Sequence, residues 1–451
     1  ALGPWFAFLD LRIGADGPAQ NGATAVPPAT AEQVAEVLQL TGSCFARSGG
    51  VDAIEPYFSE HGRPDYAPQV YLGLADWYVE QGRVSAAATT WQSLASREPL
   101  AARAPMLLIR AIALYEEAGF EEPALATRRH FVETYAMEAD YWQHHSPAGA
   151  PDVVRSLQSS LLLLAARASE QAHDGDVSAV REAENWYREY LRWFPQAPAA
   201  AQMNFDLAQL LYRDGRYLQA LQEYERIAWL QADQPLAQDA ALGALRAVDA
   251  AREQSGSAEA PSLAEREIAV GTRFLDHYPE HPMAPGVLAG IGGDLLQQQA
   301  FDRAAALGMQ SATTARVVSD EFRQVGWALH AQAMHRLEDY PAAAGAYRKA
   351  LAFADNDDPR YAALQSGLAA ATWEQGAAAL TAGDSLEAAR LYRQAAEVAP
   401  EEAMRARAIY DEGVALLAGE SWVEAAATFE RYRHGFPSAP LESEANLKLA
   451  Y

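Results

Sequence analysis

Histidines are the residues of this sequence whose spacing could support metal binding. His144 and His145 are adjacent in the Pro/Gly-rich stretch ADYWQHHSPAGAP, and His277 and His281 are four residues apart. Two histidines at i and i+4 share a helix face, but Pro279 lies between this pair and is incompatible with a helix interior. Adjacent histidines rarely direct both rings at one ion, and no Cys or acidic residue lies at ligand spacing from them. The histidines therefore indicate loops, and we expect no metal.

Paired carboxylates are the second candidate for chemistry. Glu116–Glu117 and Glu121–Glu122 bracket Gly119-Phe120. A general acid/base pair needs a shielded cleft that shifts the pKa of one member, whereas this arrangement is typical of a solvated turn. The sequence also contains no GxSxG, P-loop, HExxH, CxxC or GxGxxG motif. We therefore expect no enzyme and no cofactor.

The charge balance limits the classes of partner. The 451 residues include 60 acidic and 35 basic side chains, a formal net charge of −25. Such a surface repels phosphate backbones and anionic headgroups, so we expect neither nucleic acid nor a membrane surface as partner. No run of 18 apolar residues occurs, so no direct membrane span is expected. Protein partners remain, although acidity can also simply keep a long helical array soluble.

The elements that must position any site are predicted to be helices. Half of the residues are hydrophobic, Ala prominent among them, and segments of β-branched residues with period-two alternation are scarce. A chain of this length exceeds one compact core, but a repeat array escapes that limit because each repeat packs only against its neighbours.

A recurring break in the sequence supports a repeat array. An aromatic residue and a proline, then a second proline and a new apolar segment, occur in YLRWFPQAPAA (190–200), FLDHYPEHPMAP (274–285) and YRHGFPSAP (432–440). Proline stops a helix, so each break predicts a joint between two helical modules.

The clearest module is YLGLADWYVEQGRVSAAATTWQSLASREP, residues 71–99. Ala75 and Ala87 are small where two helices would touch, Gly82 would form the turn, Trp91 would fill the gap to the next hairpin, and Pro99 would end the second helix. This pattern resembles the tetratricopeptide repeat. Further copies in register begin at Phe205, Thr372 and Tyr410. Weaker copies cover 109–120, 290–306 and 327–350, and stretched hairpins pair 153–173 with 183–195 and 236–252 with 264–279.

The resemblance covers most of the chain and implies an all-α, right-handed α-solenoid of about nine tetratricopeptide-like hairpins. We predict an atypical N-terminal segment at 1–56, with an irregular Pro/Gly/Ala linker at 14–30. N-terminal hairpins follow at 57–146, central hairpins with longer helices and an insert loop at 147–285, and C-terminal hairpins, the last truncated, at 286–451. The first residue is not Met and the chain stops within a helical segment, so we expect a piece of a larger protein.

The spacing of the joints is most similar to bacterial envelope tetratricopeptide proteins of the BamD-like and CpoB-like kind, and 57–142 resembles those associated with TonB-type or Tol-type machinery. The resemblance implies a periplasmic or envelope scaffold for a protein partner. Two alternatives stay open: a cytoplasmic adaptor or sensor arm of a regulatory protein, and an all-α toroidal enzyme.

The resemblance also implies where a partner would bind, because the first helix of each tetratricopeptide pair lines a groove. By register, the groove residues are Gln69, Asp76, Glu80, Glu116, Glu117, Gln209, Tyr212, Arg213, Gln332, His335, Arg336, Trp373 and Tyr410. Trp373 and Tyr410 also suit core positions. Chaperone-type members hold a C-terminal carboxylate with Lys and Asn at fixed steps. The Lys step here holds Leu72, Ile109, Phe205, Ala328 and Trp373, so that clamp is not expected.

Overall fold

A computed structural model describes residues 2–13, 31–172, 176–229, 236–256, 260–355, 357–437 and 441–450. These residues form 23 α-helices and two short 3-10 turns, with no strand among them. Within each of its two compact units, successive helices pair as hairpins, and each hairpin packs on the next. The predicted all-α solenoid is confirmed. The predicted irregular linker at 14–30 lies outside the described residues.

The chain divides into two compact units, Ala1–Gly215 and Arg216–Tyr451. The boundary falls inside the predicted central segment 147–285, and the four-segment division stays a prediction. The helices of unit 1 are α1 (Gly3–Ile13), α2 (Ala31–Arg47), α3 (Ile54–His61), α4 (Ala67–Glu80), α5 (Val84–Arg97), α6 (Ala104–Glu117), α7 (Glu121–Tyr135), α8 (Tyr141–His144), α9 (Pro151–Ala172), α10 (Val177–Trp193) and α11 (Ala200–Arg213).

Unit 2 continues the alternation of first and second helices. Its helices are α12 (Tyr217–Ala228), α13 (Ala237–Gln254), α14 (Ala260–His277), α15 (Ala284–Gln297), α16 (Phe301–Thr313), α17 (Asp320–Arg336), α18 (Tyr340–Leu351), α19 (Tyr361–Thr381), α20 (Ser385–Val398), α21 (Glu402–Ala418), α22 (Trp422–Gly435) and α23 (Glu442–Ala450). Within the described residues, unit 1 holds the hairpins α4/α5, α6/α7 and α9/α10, and unit 2 holds five from α13/α14 to α21/α22. The unit boundary falls between α11, the last helix of unit 1, and α12, the first helix of unit 2.

Most hairpin turns contain one residue with a left-handed backbone. Glycine occupies this position at Gly82 (φ 68°) and Gly383 (φ 88°), as the sequence pattern predicts for Gly82. Three other turns use side-chain-bearing residues instead: Gln299, Glu338 and Glu420, with φ between 59° and 63°. Since a Cβ disfavours this conformation, these three turns are held by the packing of the helices that they join.

The aromatic-Pro breaks are joints with one repeated geometry. Helices α10, α14 and α22 end at Trp193, His277 and Gly435, before each proline. At each joint two rings four residues apart pack together, with centroids 5.6 Å apart for Tyr190/Phe194 and Phe274/Tyr278 and 5.7 Å for Tyr432/Phe436. The rings bury the end of one hairpin while proline prevents the helix from continuing, which confirms the predicted module joints.

Small residues let helices approach closely at several crossings. Gly308 of α16 and Gly326 of α17 face each other so tightly that a Cβ on Gly308 would lie 2.6 Å from the carbonyl oxygen of Gly326. In unit 1, a Cβ on Gly42 of α2 would lie 2.7 Å from the carbonyl oxygen of Gly73 in α4. These crossings leave no room for a side chain, so glycine is a packing requirement at both.

Ion pairs join neighbouring hairpins of unit 2. Glu412 of α21 is 0% exposed, and its carboxylate accepts hydrogen bonds from Arg393 of α20 (2.7 Å) and Arg431 of α22. Arg252 of α13 likewise bonds Glu267 of α14 (2.7 Å) and Asp294 of α15 (2.8 and 2.9 Å). Each pairing links three consecutive helices across a module joint.

Candidate functional site

A groove runs along the first helices α15, α17 and α19 of three successive hairpins in unit 2. It consists of two adjoining cavities that share Leu296, Gln332 and Tyr347 in their walls. The exposed faces of α15 and α17 form most of the lining, because their opposite faces are buried against α16 and α18. In this part of the chain, the first helices therefore line a concave surface, as expected from the resemblance to tetratricopeptide repeats.

The larger cavity, here called the polar chamber, has a volume of about 820 Å³. Its polar lining comprises Gln297, Gln299, Gln332, His335, Arg336 and Glu338. Phe301, Tyr340 and Tyr347 complete the wall. Three of the residues predicted for the groove, Gln332, His335 and Arg336, are thus brought together here.

The smaller cavity, here called the apolar chamber, has a volume of about 260 Å³. Its lining includes Ala289, Gly293, Val325, Ala328, Leu329 and Leu364. Small side chains on α15, α17 and α19 keep this space open. A Cβ on Gly293 would have no neighbour within 4 Å in the part of the chain that the structure describes. The chamber is therefore suited to a single medium-sized apolar side chain.

His335 has an unusual environment in the polar chamber. Its Nδ1 is buried and has no hydrogen-bond partner within the described ranges, and its ring packs edge-on against Tyr340 at 5.4 Å. Burial lowers the pKa of His335, with a further contribution from the charge of Arg336, whereas Glu374 opposes the shift. The imidazole is therefore neutral near pH 7.

Arg336 is the cation of the polar chamber. Its side chain is exposed, and no ion pair joins it to a carboxylate in the part of the chain that the structure describes. The carbonyls at the end of α17 are bonded by following backbone N–H groups instead, from Leu337 to Ala333 O (3.0 Å) and from Asp339 to Met334 O (3.0 Å). The guanidinium of Arg336 is thus not required for capping the helix.

Two further predicted groove residues belong to the packing between hairpins. Trp373 is half-buried, donates from Nε1 to Asp411 Oδ2 (2.8 Å) and lies under Arg407. Tyr410 is 7% exposed and packs edge-on against Phe429, while its hydroxyl donates to Glu444 Oε2 (2.8 Å). The sequence left both a groove position and a core position open for these residues. The structure places the Tyr410 ring in the core of unit 2 and the Trp373 ring against it.

The predicted groove residues of unit 1 lie on three first helices, mainly at the surface. Gln69, Asp76 and Glu80 are on α4, Glu116 and Glu117 on α6, and Gln209, Tyr212 and Arg213 on α11. Partial burial raises the pKa of Asp76, and Arg110 lies 3.6 Å from its carboxylate. Glu80 accepts a hydrogen bond from Gln39, and Glu116 from Arg128. Gln209 Oε1 accepts a hydrogen bond from Arg213 (3.4 Å). Their role in binding stays a prediction.

Two of the predicted loop histidines, His145 and His277, take structural positions. His145 bonds the carbonyl of Leu100 (2.8 Å) and stacks on Tyr141, so it closes a loop. Helix α14 ends at His277, before Pro279, as predicted. Across the described ranges, no three His, Cys, Asp or Glu side chains are placed to share a metal ion. No helix in those ranges has the length and apolarity needed to cross a bilayer.

Several lining residues were not predicted from the sequence. Gln297, Gln299 and Gly293 come from the end of α15 and its turn, and Tyr347 comes from the second helix α18. The weak repeat at 290–306 contains the first three, but its register lacks the aromatic positions that locate a groove face. The one usable signal was the glycine-rich GVLAGIGGD, which is unusual in a helix and marks a face without side chains.

No family model and no curated protein matches the sequence. Among solved structures, the chain is similar to a tetratricopeptide repeat protein from Parabacteroides merdae (15% identity, 64% of this chain and 100% of that chain, TM-score 0.25). It is also similar to yeast Tom70 (15%, 93% and 95%, TM-score 0.24) and to the tetratricopeptide domain of P58(IPK) (12%, 84% and 95%, TM-score 0.22). Because these TM-scores are low, the fold rests on the chain's own helices.

Proposed function

We propose that this protein is a non-catalytic scaffold that holds a segment of a partner protein in the groove of α15, α17 and α19. The observation that carries the proposal is the pair of adjoining chambers on successive first helices, one apolar and one polar. A groove of this kind takes a side chain in one part and offers hydrogen bonds in the other, which is how short protein segments are bound.

A bacterial envelope is the proposed setting, and its support is the sequence resemblance in the joints. Immunoblotting of periplasmic and cytoplasmic fractions of the source organism tests this part. Recovery of the protein in the cytoplasm would instead favour the adaptor or sensor arm of a regulatory protein.

A block of the groove that leaves the fold intact tests the binding function. Gly293→Leu adds a side chain in open space within a helix, so it fills the apolar chamber while improving helix propensity. Gly345→Leu is the matched control, because Gly345 lies in α18, also has no neighbour within 4 Å of an added Cβ, and does not line either chamber.

The assay is selection of a random dodecapeptide phage library on the purified protein, followed by calorimetric titration of the selected peptides. We expect peptides that bind the wild type and the Gly345→Leu variant equally and fail to bind the Gly293→Leu variant. Circular dichroism confirms that both variants are folded. Selected peptides that bind all three proteins alike would refute the groove as the binding site.

A further inference from the structure

We infer that the polar chamber receives a carboxylate of the bound segment, held by Arg336 and His335, while an apolar side chain of the same segment fills the apolar chamber. This inference rests on the proposed function and names the chemistry of its partner. The segment therefore carries one apolar and one acidic residue a few positions apart.

Charge distribution is the first support. The chain carries a net charge of −25, but residues 301–350 contain six basic and five acidic residues. This stretch supplies α16, α17 and α18, and with them most of the polar lining. The polar chamber therefore lies in a part of an acidic protein where negative charge is locally balanced, which lowers the repulsion that an anionic group would meet.

The donor set is the second support. Arg336 carries an exposed guanidinium without an ion-pair partner in the described residues, and a guanidinium matches a carboxylate with two parallel N–H bonds. Among the described residues, nothing accepts a hydrogen bond from Nδ1 of His335, so the neutral ring keeps its proton on Nε2. Gln299 and Gln332 add amide donors to the same wall. Arginine, imidazole and amide N–H groups together form a site for an anionic oxygen.

The geometry of the groove is the third support. Leu296, Gln332 and Tyr347 belong to both chambers, so a ligand passing over them reaches both. Ala328, which stands at the Lys step of the chaperone-type clamp, lines the apolar chamber instead. The carboxylate position is thus about two helical turns further along α17, at residues 335 and 336, and is a different site from that clamp.

A carboxylate suits this chamber better than a phosphate group. Glu338 lines the chamber and Glu374 is close enough to influence His335. A phosphate near two charges of its own sign meets about twice the repulsion of a carboxylate, and the described lining of this chamber offers one guanidinium, that of Arg336, to offset it. One guanidinium and two nearby carboxylates therefore favour a singly charged carboxylate over a phosphate group as the ligand.

The test uses the peptides that the dodecapeptide selection yields on the full chain. We expect enrichment of Asp or Glu at a fixed distance from an apolar residue. The best peptide is then synthesised with that position as Glu or Gln, and each form with a free or an amidated C-terminus. A further peptide with phosphoserine at that position tests whether a phosphate group binds instead of a carboxylate.

For the wild type we expect the Glu peptide to bind at least threefold tighter than the Gln peptide, with a free C-terminus adding nothing. Arg336→Gln should reduce the Glu-to-Gln ratio to about one, and Arg336→Lys should restore part of it. Arg336 is exposed, so these substitutions leave the fold unchanged.

The outcomes separate this inference from the proposed function. Equal binding of Glu and Gln peptides, blocked by Gly293→Leu, would overturn the carboxylate site and leave the scaffold function standing. A preference for Glu that survives in Arg336→Gln, a preference for phosphoserine, or dependence on the free C-terminus would also overturn it. Selection that yields no groove-dependent peptide would overturn both.

Discussion

Replacing Gly308 by Ala should destabilise unit 2 although it places a better helix former in α16. The added Cβ would lie 2.6 Å from both the carbonyl oxygen of Gly326 and the amide nitrogen of His330. Both atoms belong to the backbone of α17, so no side chain can rotate away. The α16–α17 crossing must widen by about 0.8 Å before these contacts reach an ordinary 3.4 Å.

The magnitude follows from two opposing terms. Overpacking of a close-packed crossing costs about 1–3 kcal/mol, and the gain from replacing Gly by Ala in a helix is about 1 kcal/mol. The widening is rigid and involves two backbone atoms, so the cost should lie at the upper end of that range. We expect a net loss of about 2 kcal/mol, against a gain of about 0.5–1 kcal/mol for Gly345→Ala, where the added Cβ is in open space.

Urea unfolding followed by circular dichroism at 222 nm measures both variants under identical conditions. The comparison between two Gly→Ala substitutions in helices of the same unit cancels the effect of each residue type on the unfolded chain. If Gly308→Ala is as stable as Gly345→Ala, the close approach of α16 and α17 is wrong and the argument fails.

Three other predictions concern turns, buried charge and pH. Glu420→Gly should raise the free energy of unfolding by about 1 kcal/mol because it removes a Cβ from a left-handed backbone, and Gly383→Ala should lower it by a similar amount. Thermal unfolding measures both variants, and a change of the same sign in the two would contradict the prediction. The double variant Arg393→Gln/Arg431→Gln should lower the free energy of unfolding by about 3–5 kcal/mol because it leaves Glu412 buried and unpaired. Glu412→Gln should lower it less, because both arginines are half-exposed and water can solvate them. Urea unfolding that ranks the two variants in the reverse order would refute this. His335 is faced by Arg336 on α17, Tyr340 on α18 and Glu374 on α19, and burial together with Arg336 lowers its pKa in the free protein. A bound carboxylate would raise that pKa, so affinity for the Glu peptide should increase as the pH falls from 7.5 to 5.5. This pH dependence should disappear in His335→Gln.

The module joints and the hairpin order could be predicted from the sequence because local chemistry decides them. Pro195 prevents the helix that precedes it from continuing, and Ala75 and Gly82 mark a helix contact and a turn at a fixed spacing. The start of α10 was less accessible: the structure begins it at Val177, before the predicted 183, because Asp176 caps it by accepting a hydrogen bond from the amide of Ser178 (2.8 Å).

The groove was only partly predictable because it depends on pairs of helices. Gln332 and Arg336 could be assigned to a first-helix face by register. Gln299 could not, since it occupies a left-handed turn position where glycine was the expected residue. Tyr410 shows the opposite limit: its register places it on the groove face of a first helix, but its ring is buried against Phe429 of α22 in the same hairpin. Register gives the helix face, and packing decides which side chains on that face remain open.

The pairing of Glu412 with Arg393 and Arg431 determines where this array can be shortened. A chain ended between α21 and α22 would retain the carboxylate of Glu412 with Arg393 but lose Arg431, one of the two cations that pair with it. A chain ended after α20 would lose the carboxylate together with Arg431 and leave only a half-exposed Arg393 that water can solvate. Truncations of this solenoid should therefore be made at positions that leave no charge stranded, and repeat length alone is a poor guide to them.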